Sequence, residues 1–433
     1  MKSSKDPDFG ATGQFELTGV YFSDRKADAT FATTLGMDRI KSLLLLGAGS
    51  AHLQVLLQLA RHRRSDLDVT LITPWSYKTS PALAPGYVAG QHSLAACQVD
   101  LEPLLHDAGV RWISARCSGL DANTSSVMLD YGAPGATVSG QRTSGAVGRP
   151  AMLTYDLLSI DTGTAMERRR LETLVPGAIE HALLHKPTEQ FVNRWTQALQ
   201  QARTHPDKVM KVAVVGAGTP GLELVFAVER GLAQAGIAHD VRLVTQGSPL
   251  APGLPPSVQT RALARLHKSG IACVEGRCLR IHAQGIDLDS GTQLATDLVI
   301  MATGEHPPEW LAHSGLATDS AGRVQVNAHL QSTSHPKVFA VGGVARSVGQ
   351  DSGTDTPVGL DGEGAGADLS LNLMASLTGQ PLNSHTAHTP SVSFVNCGGE
   401  HAIACWGPLS AEGSWAWRWK HRNDLAQLVR YQR

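Results

Sequence analysis

Two glycine turns carry the clearest chemical signal in this sequence. The first, Gly47-Ala48-Gly49-Ser50-Ala51-His52, follows the apolar run Leu43-Leu-Leu-Leu46 and opens onto Leu53-Gln-Val-Leu-Leu-Gln-Leu-Ala60. In such a turn the first glycine permits a sharp bend, and the second lets backbone approach a pyrophosphate facing the N-terminus of the next helix. The third position allows helix and strand to pack closely. His52 stands at that third position here. The second turn, Gly216-Ala217-Gly218-Thr219-Pro220-Gly221, is complete, with Lys211-Val-Ala-Val-Val215 before it and Leu222-Glu-Leu-Val-Phe-Ala-Val-Glu229 after it. Two copies of one phosphate-binding unit predict two dinucleotides, one for each copy.

Each turn needs a strand before it, a helix after it and a second strand beyond. Asp68-Val-Thr-Leu-Ile-Thr73 and Val241-Arg-Leu-Val-Thr245 supply the second strands, which gives two βαβ units. Neither strand ends on the acid that usually clasps a ribose hydroxyl; Thr73 and Thr245-Gln246 stand there instead. A threonine accepts one hydrogen bond but offers no charged bidentate clamp, so the choice between NADH and NADPH stays open.

A chain of 433 residues holds two or three domains. Thirty-seven Lys+Arg against 38 Asp+Glu leave no global field to gather nucleic acid. The 42% hydrophobic content and 44 glycines exclude a disordered chain and a coiled coil. Six cysteines at irregular spacing make neither a disulfide scaffold nor a zinc knuckle, so a reducing, cytoplasmic setting is expected. The first residues never develop a signal-peptide core, and no run is long and apolar enough to span a bilayer. Residues 1–38 read as an unanchored tail, and the glycine-rich segments 132–150 and 349–366 as loops, the first a hairpin tip. Cys273 and Cys278 fall at strand edges rather than in a redox pair. His181 and His185 share a face if that stretch is helical, but no third ligand is apparent, so no metal is expected.

Further motifs carry a resemblance. They are Pro85-Gly-Tyr-Val-Ala-Gly90, Tyr155-Asp-Leu-Leu-Ser-Ile-Asp-Thr-Gly163, Val175-Pro-Gly-Ala178, Lys186-Pro187, Asp297-Leu-Val-Ile-Met-Ala-Thr-Gly304 and Val338-Phe-Ala-Val-Gly-Gly-Val-Ala345. The tail adds Trp406-Gly-Pro-Leu409, Glu412-Gly413 and Trp415-Ala-Trp-Arg-Trp-Lys420. Over about residues 40–433 the chain resembles the FAD-dependent pyridine nucleotide-disulfide oxidoreductases. Within them it is similar to type II NADH dehydrogenases and, most nearly, to the flavoproteins associated with selenide, water dikinase.

That resemblance implies an α/β chain with two Rossmann-like dinucleotide-binding domains, one inserted in the other, and a small C-terminal region. The implied boundaries are a tail at 1–39, an FAD-binding domain at 40–205 and 296–385, an inserted NAD(P)-binding domain at 206–295, and a C-terminal region at 386–433. Gly47, Ala48, Gly49, Ser50, His52, Thr73, Thr162, Gly163, Gly342 and Gly343 are then expected to face FAD. Gly216, Gly218, Gly221, Ala302, Thr303 and Gly304 are expected to face NAD(P)H, with Glu223 as the catalytic residue near the nicotinamide. Hydride would pass from NAD(P)H to flavin and on to a quinone-like or other small acceptor. The chain departs from the family at Gly343, where an aspartate holds the flavin ribityl chain, and at the polar step before the last helix, which reads here as Ala365-Gly366 or, shifted by two residues, as Glu363-Gly364. Those departures support an alternative: a catalytically silent double-Rossmann binding or sensing protein.

Residues 414–433 mix Trp415, Trp417 and Trp419 with Arg418, Lys420, Arg422, Arg430 and Arg433. Indole with arginine suits a membrane–water interface, so peripheral contact with the inner face of a membrane is expected. Docking of this tail on the flavin domain or on a second copy in a homodimer is the competing reading.

Overall fold

The computed structural model describes residues 39–132, 151–348, 362–386 and 392–432. The expected tail, residues 133–150 of the first glycine-rich segment and residues 349–361 of the second lie outside them. From Lys41 onward ten strands form two five-stranded sheets. In chain order they are β1 (Lys41–Leu46), β2 (Leu67–Ile72), β3 (Arg111–Ile113), β4 (Leu157–Ile160) and β5 (Ala182–Leu184). Then come β6 (Met210–Val215), β7 (His239–Val244), β8 (Ala272–Val274), β9 (Leu298–Met301) and β10 (Val338–Ala340).

The first sheet runs β10-β4-β1-β2-β3 and the second β5-β9-β6-β7-β8, every pair parallel. Strands covered on both faces read as continuous apolar runs rather than alternating ones. Leu43–Leu46 and Val212–Val215 fit that rule, and all eight side chains are buried. Each such leucine contributes ~2 kcal/mol of burial. In each sheet the strand order reverses beside the central strand, at β1/β4 and at β6/β9, which opens a crevice at the carboxyl ends. The glycine turns leave β1 and β6 at those crevices. Helices α1 (Ser50–Arg61) and α3 (Thr219–Gln234) follow them, with a short α2 (Ala84–Val88) between.

The second sheet begins earlier and ends later than the expected insertion at 206–295. β5 and β9 both belong to it, because Ala182–Leu184 pairs with Val299–Met301. The chain crosses between the sheets where Ala165-Met166 pairs antiparallel with Glu305-His306. His181 closes a one-turn helix and His185 follows β5, so the two do not share a helix face as expected. Ser126–Asp130 and Ala151–Thr154, which flank the first glycine-rich segment, pair as hairpin arms.

The second glycine-rich segment is shorter than expected, since helix α4 starts at Gly362 and runs to Thr378. Ala365, Leu369 and Leu373 give it a buried stripe at i, i+4 spacing. Gly366 lets it lie close to α1: a Cβ there would stand 2.6 Å from Gln54 Cδ. The C-terminal region is a three-stranded antiparallel sheet of β11 (Ser393–Asn396), β12 (Ala402–Trp406) and β13 (Leu409–Gly413), followed by α5 (Ser414–Val429). Val395, Ile403 and Cys405 join the core beside the second sheet, whereas Leu428 and Tyr431 join that of the first.

α3 also touches α2 directly. A Cβ on Gly231 would sit 2.0 Å from the Val88 carbonyl oxygen, a backbone atom with no room to yield. Gly231→Ala should therefore cost about 1–3 kcal/mol despite the better helix propensity of alanine, read as a lower melting temperature by circular dichroism. An unchanged or raised melting temperature would show that the α2–α3 approach relaxes freely.

Candidate active site

Each glycine turn closes against the turn that leaves the neighbouring strand. Gly47 has φ 89°, and a Cβ on it would lie 2.4 Å from the Asp161 carbonyl oxygen and 2.6 Å from Thr162 Cα. Gly216, at φ 124°, meets Thr303 Cγ2 and the Ala302 carbonyl in the same way, at 2.5 and 2.7 Å. The structure thus joins Gly47 and Gly49 to Asp161-Thr162, and Gly216 and Gly221 to Ala302-Thr303. Gly163 and Gly304, one step beyond, face space in which a Cβ meets nothing within 4 Å.

The two turns differ in what fills them. Gly218 is open, with only Pro220 Cδ at 3.7 Å from its Cβ position. Gly221 is tight, because a Cβ there would be 2.0 Å from the Gly216 carbonyl oxygen. At the first turn, a Cβ on Gly49 would collide with the Asp161 carboxylate at 2.1–2.2 Å. Asp161 Oδ2 accepts the Ala51 and His52 amide protons at 3.1 and 3.2 Å, and only 5% of the residue is exposed. Sequence reasoning passed over this aspartate. Its signal was an acid directly after the fully buried strand Leu157–Ile160.

His52 does not face the crevice as expected. Its ring is buried against the sheet, Nδ1 at 2.6 Å from the Gly47 carbonyl and Nε2 at 2.8 Å from Ser159 Oγ. Burial lowers its pKa, so the ring stays neutral and ties α1 to β4. The ring fills the space a third glycine leaves for helix–strand contact. Ala48 is buried beside it, Ser50 is partly exposed at the helix start, and buried Thr73 accepts the Trp112 indole N–H at 2.9 Å through its carbonyl. Gly342 lies beside Asp161, a Cβ there being 3.1 Å from Oδ1, and Gly343 lies against Thr164 Cγ2.

In the second sheet, Gln246 takes φ 59° and its Oε1 accepts the Cys278 amide proton at 3.2 Å. Glu223 on α3 accepts the Asn396 amide proton at 2.7 Å. Burial pushes its carboxyl up, while Lys420 on α5 pulls it back. Between the sheets, Glu305 binds His185 Nε2 at 2.7 Å and the Thr164 hydroxyl. Burial acts to raise Glu305, but His185, Lys186 and Thr164 together hold it down at about 2. This cluster too was not foreseen, since Glu305 lies 120 residues from His185 and 141 from Thr164 in sequence. Cys273 is exposed on β8, and burial pushes the Cys278 thiol up to about 11, which leaves no low-pKa thiolate in this pair. No cluster of three or more metal-ligating side chains occurs among the described residues.

Because Gly221 has backbone at 2.0 Å, Gly221→Val must break the bend at Gly216. The expected outcome is loss of nicotinamide-nucleotide binding, measured by calorimetric titration, with a circular dichroism melt that is lowered, as at Gly231, but still cooperative. A collapse of the melt would instead assign Gly221 to global folding.

The pyridine nucleotide-disulphide oxidoreductase family model matches residues 41–359. An NADH dehydrogenase-like protein of Mycobacterium tuberculosis is 25% identical over 297 residues, 67% of this chain and 68% of that protein. Among solved structures, NDH2 from Plasmodium falciparum in complex with NADH superposes with a TM-score of 0.70 at 15% identity, covering 90% of this chain and 98% of that one. The sulfide:quinone oxidoreductase of Aquifex aeolicus gives 0.66 at 16% identity, with 90% and 92% covered. Two parallel sheets with a glycine turn at each switch point, together with a match over most of the chain, place this protein in the pyridine nucleotide-disulphide oxidoreductase family.

Proposed function

We propose that the protein is an FAD-dependent NAD(P)H dehydrogenase that passes electrons to a quinone-like or other small acceptor. The observation that carries this reading is the repeated geometry: two glycine turns, each closed on the turn after a neighbouring parallel strand, Asp161-Thr162 in one and Ala302-Thr303 in the other. The second turn fits a dinucleotide as it stands, because Gly218 leaves the α3 N-terminus open to a pyrophosphate. The first has the same bend and fits one once the Asp161 side chain gives way.

A bound flavin would supply the two-electron redox chemistry that links a nicotinamide to an acceptor. The chain's own part is alignment. Gly216, Gly218 and Gly221 bring backbone and helix dipole to the pyrophosphate, and Thr303 and Gly304 line the same crevice. Gly47, Thr162, Gly163, Gly342 and Gly343 do so on the other side. Glu223 is held in place by the Asn396 amide, and its raised carboxyl takes up a proton more readily than a surface glutamate. The catalytically silent alternative is favoured by one observation, the carboxylate of Asp161 at the first turn. Purified protein supplied with FAD should show flavin absorbance that bleaches on anaerobic addition of NADH or NADPH. Protein that takes up FAD but keeps its colour is the silent relative.

The acceptor side draws on α5. Its solvent face carries Trp415, Arg418, Trp419 and Arg422, with Arg430 at its C-cap, next to Trp406 and Leu409 of the preceding hairpin, both exposed. That mixture supports peripheral membrane contact. No helix among the described residues is long and apolar enough to cross a membrane. Lys420 does not contribute as expected: it is half-buried and paired with Asp424 at 2.7 Å. Trp417 is half-buried and stacks on His421 at 4.8 Å, so it belongs to the fold, whereas Trp419 meets Phe394 edge-on at 5.3 Å and stays exposed. Replacing Trp415 and Trp419 by alanine should move the protein from anionic vesicles to the supernatant, with turnover on a soluble dye retained. A change in oligomeric state instead would make this face a contact between two copies.

A further inference from the structure

Asp161 distinguishes the two turns. Helix α1 starts at an N-cap, Gly49, that has no side chain to satisfy the first amide groups. Asp161 reaches in from the end of β4 and caps it from outside, through the amides of Ala51 and His52, 110 and 109 residues away in sequence. The carboxylate sits in a slot made by two glycines, since a Cβ on Gly49 or on Gly342 would stand 2.1–2.2 or 3.1 Å from it. No side chain could occupy Gly49 while Asp161 lies there.

We propose that Asp161 is an internal anion that competes with the flavin pyrophosphate for the N-terminus of α1, and so sets how tightly the protein holds FAD. A carboxylate gains there what a phosphate gains, amide donors and the positive end of the helix dipole. The adjacent His52 ring adds no cation, because burial keeps it neutral. A pyrophosphate at the same end meets a like charge and amides already engaged, so binding costs the displacement of Asp161. At α3 nothing comparable intrudes on Gly218. The two sites therefore differ in kind: one is ready for its dinucleotide, and the other must exchange an anion of its own for one. The protein should accordingly hold FAD as an exchangeable ligand. This inference rests on the flavoprotein reading.

The test is FAD affinity of the full chain, stripped of flavin and titrated by flavin fluorescence quenching, for wild type, Asp161→Asn and Asp161→Ala. The asparagine keeps an oxygen for the Ala51 and His52 amides while removing the charge, and the alanine vacates the slot. Both should bind FAD about tenfold or more tighter than wild type, with the circular dichroism melt reported for each variant. Equal or weaker binding by a folded Asp161→Asn protein overturns the proposal, because the carboxylate is then no competitor. If wild type and variants all bind FAD alike, only the role of Asp161 falls. If none binds FAD, the flavoprotein reading falls with it.

Discussion

A helix that begins at a glycine turn exposes amide groups that something must satisfy, and this requirement organises both halves of the molecule. The turn can remain bare only if its glycines keep backbone close and side chains away. Gly47 and Gly216 meet it by pressing on the strand-end turns at Asp161-Thr162 and Ala302-Thr303. Those contacts require the parallel neighbours β4 and β9, and the neighbours require the crossovers that bring the chain back. The apolar runs, the sheet order and the interdomain pair at Ala165-Met166 and Glu305-His306 all serve to hold two helix ends at two crevices.

Much of this was legible in the residues. Leu43–Leu46 and Val212–Val215 announce buried strands, and the turns after them announce helices. Partners across space were not legible. β5 and β9 fall outside the inserted domain expected at 206–295, because a three- or four-residue strand carries no mark of its neighbour. The Glu305–His185 pair and the inward Lys420 were missed for the same reason, since burial of a charge depends on elements far off in sequence. Asp161 was read as one letter in a motif, and its meaning comes from two amides about 110 residues earlier. His52 was legible as an irregularity, but its direction was not: an imidazole at a glycine position can face a ligand or the sheet, and Ser159 decides it.

The C-terminal region belongs to both halves at once. Its hairpin shares a core with the second sheet through Val395 and Ile403, and its helix ends in the first through Leu428 and Tyr431. Lys420 donates to the Ala82 carbonyl at 3.5 Å and pairs with Asp424, and its charge also reaches Glu223 on α3. The C-terminal region, for whose residues 414–433 membrane contact and docking on the fold were the two expectations, thus packs on both sheets' cores, which leaves only one side of α5 for any outside partner.

The order of strands along the chain also dictates an order of assembly. The second sheet is built wholly from residues 182–301, so it can close as soon as that stretch has left the ribosome. The first sheet cannot, because its outer strand β10 is made only at Val338–Ala340. Until then β4 presents an unpaired edge, buried on both faces in the finished protein and open to mispairing in the nascent one. The earlier unit must wait, incomplete, while the later one folds inside it.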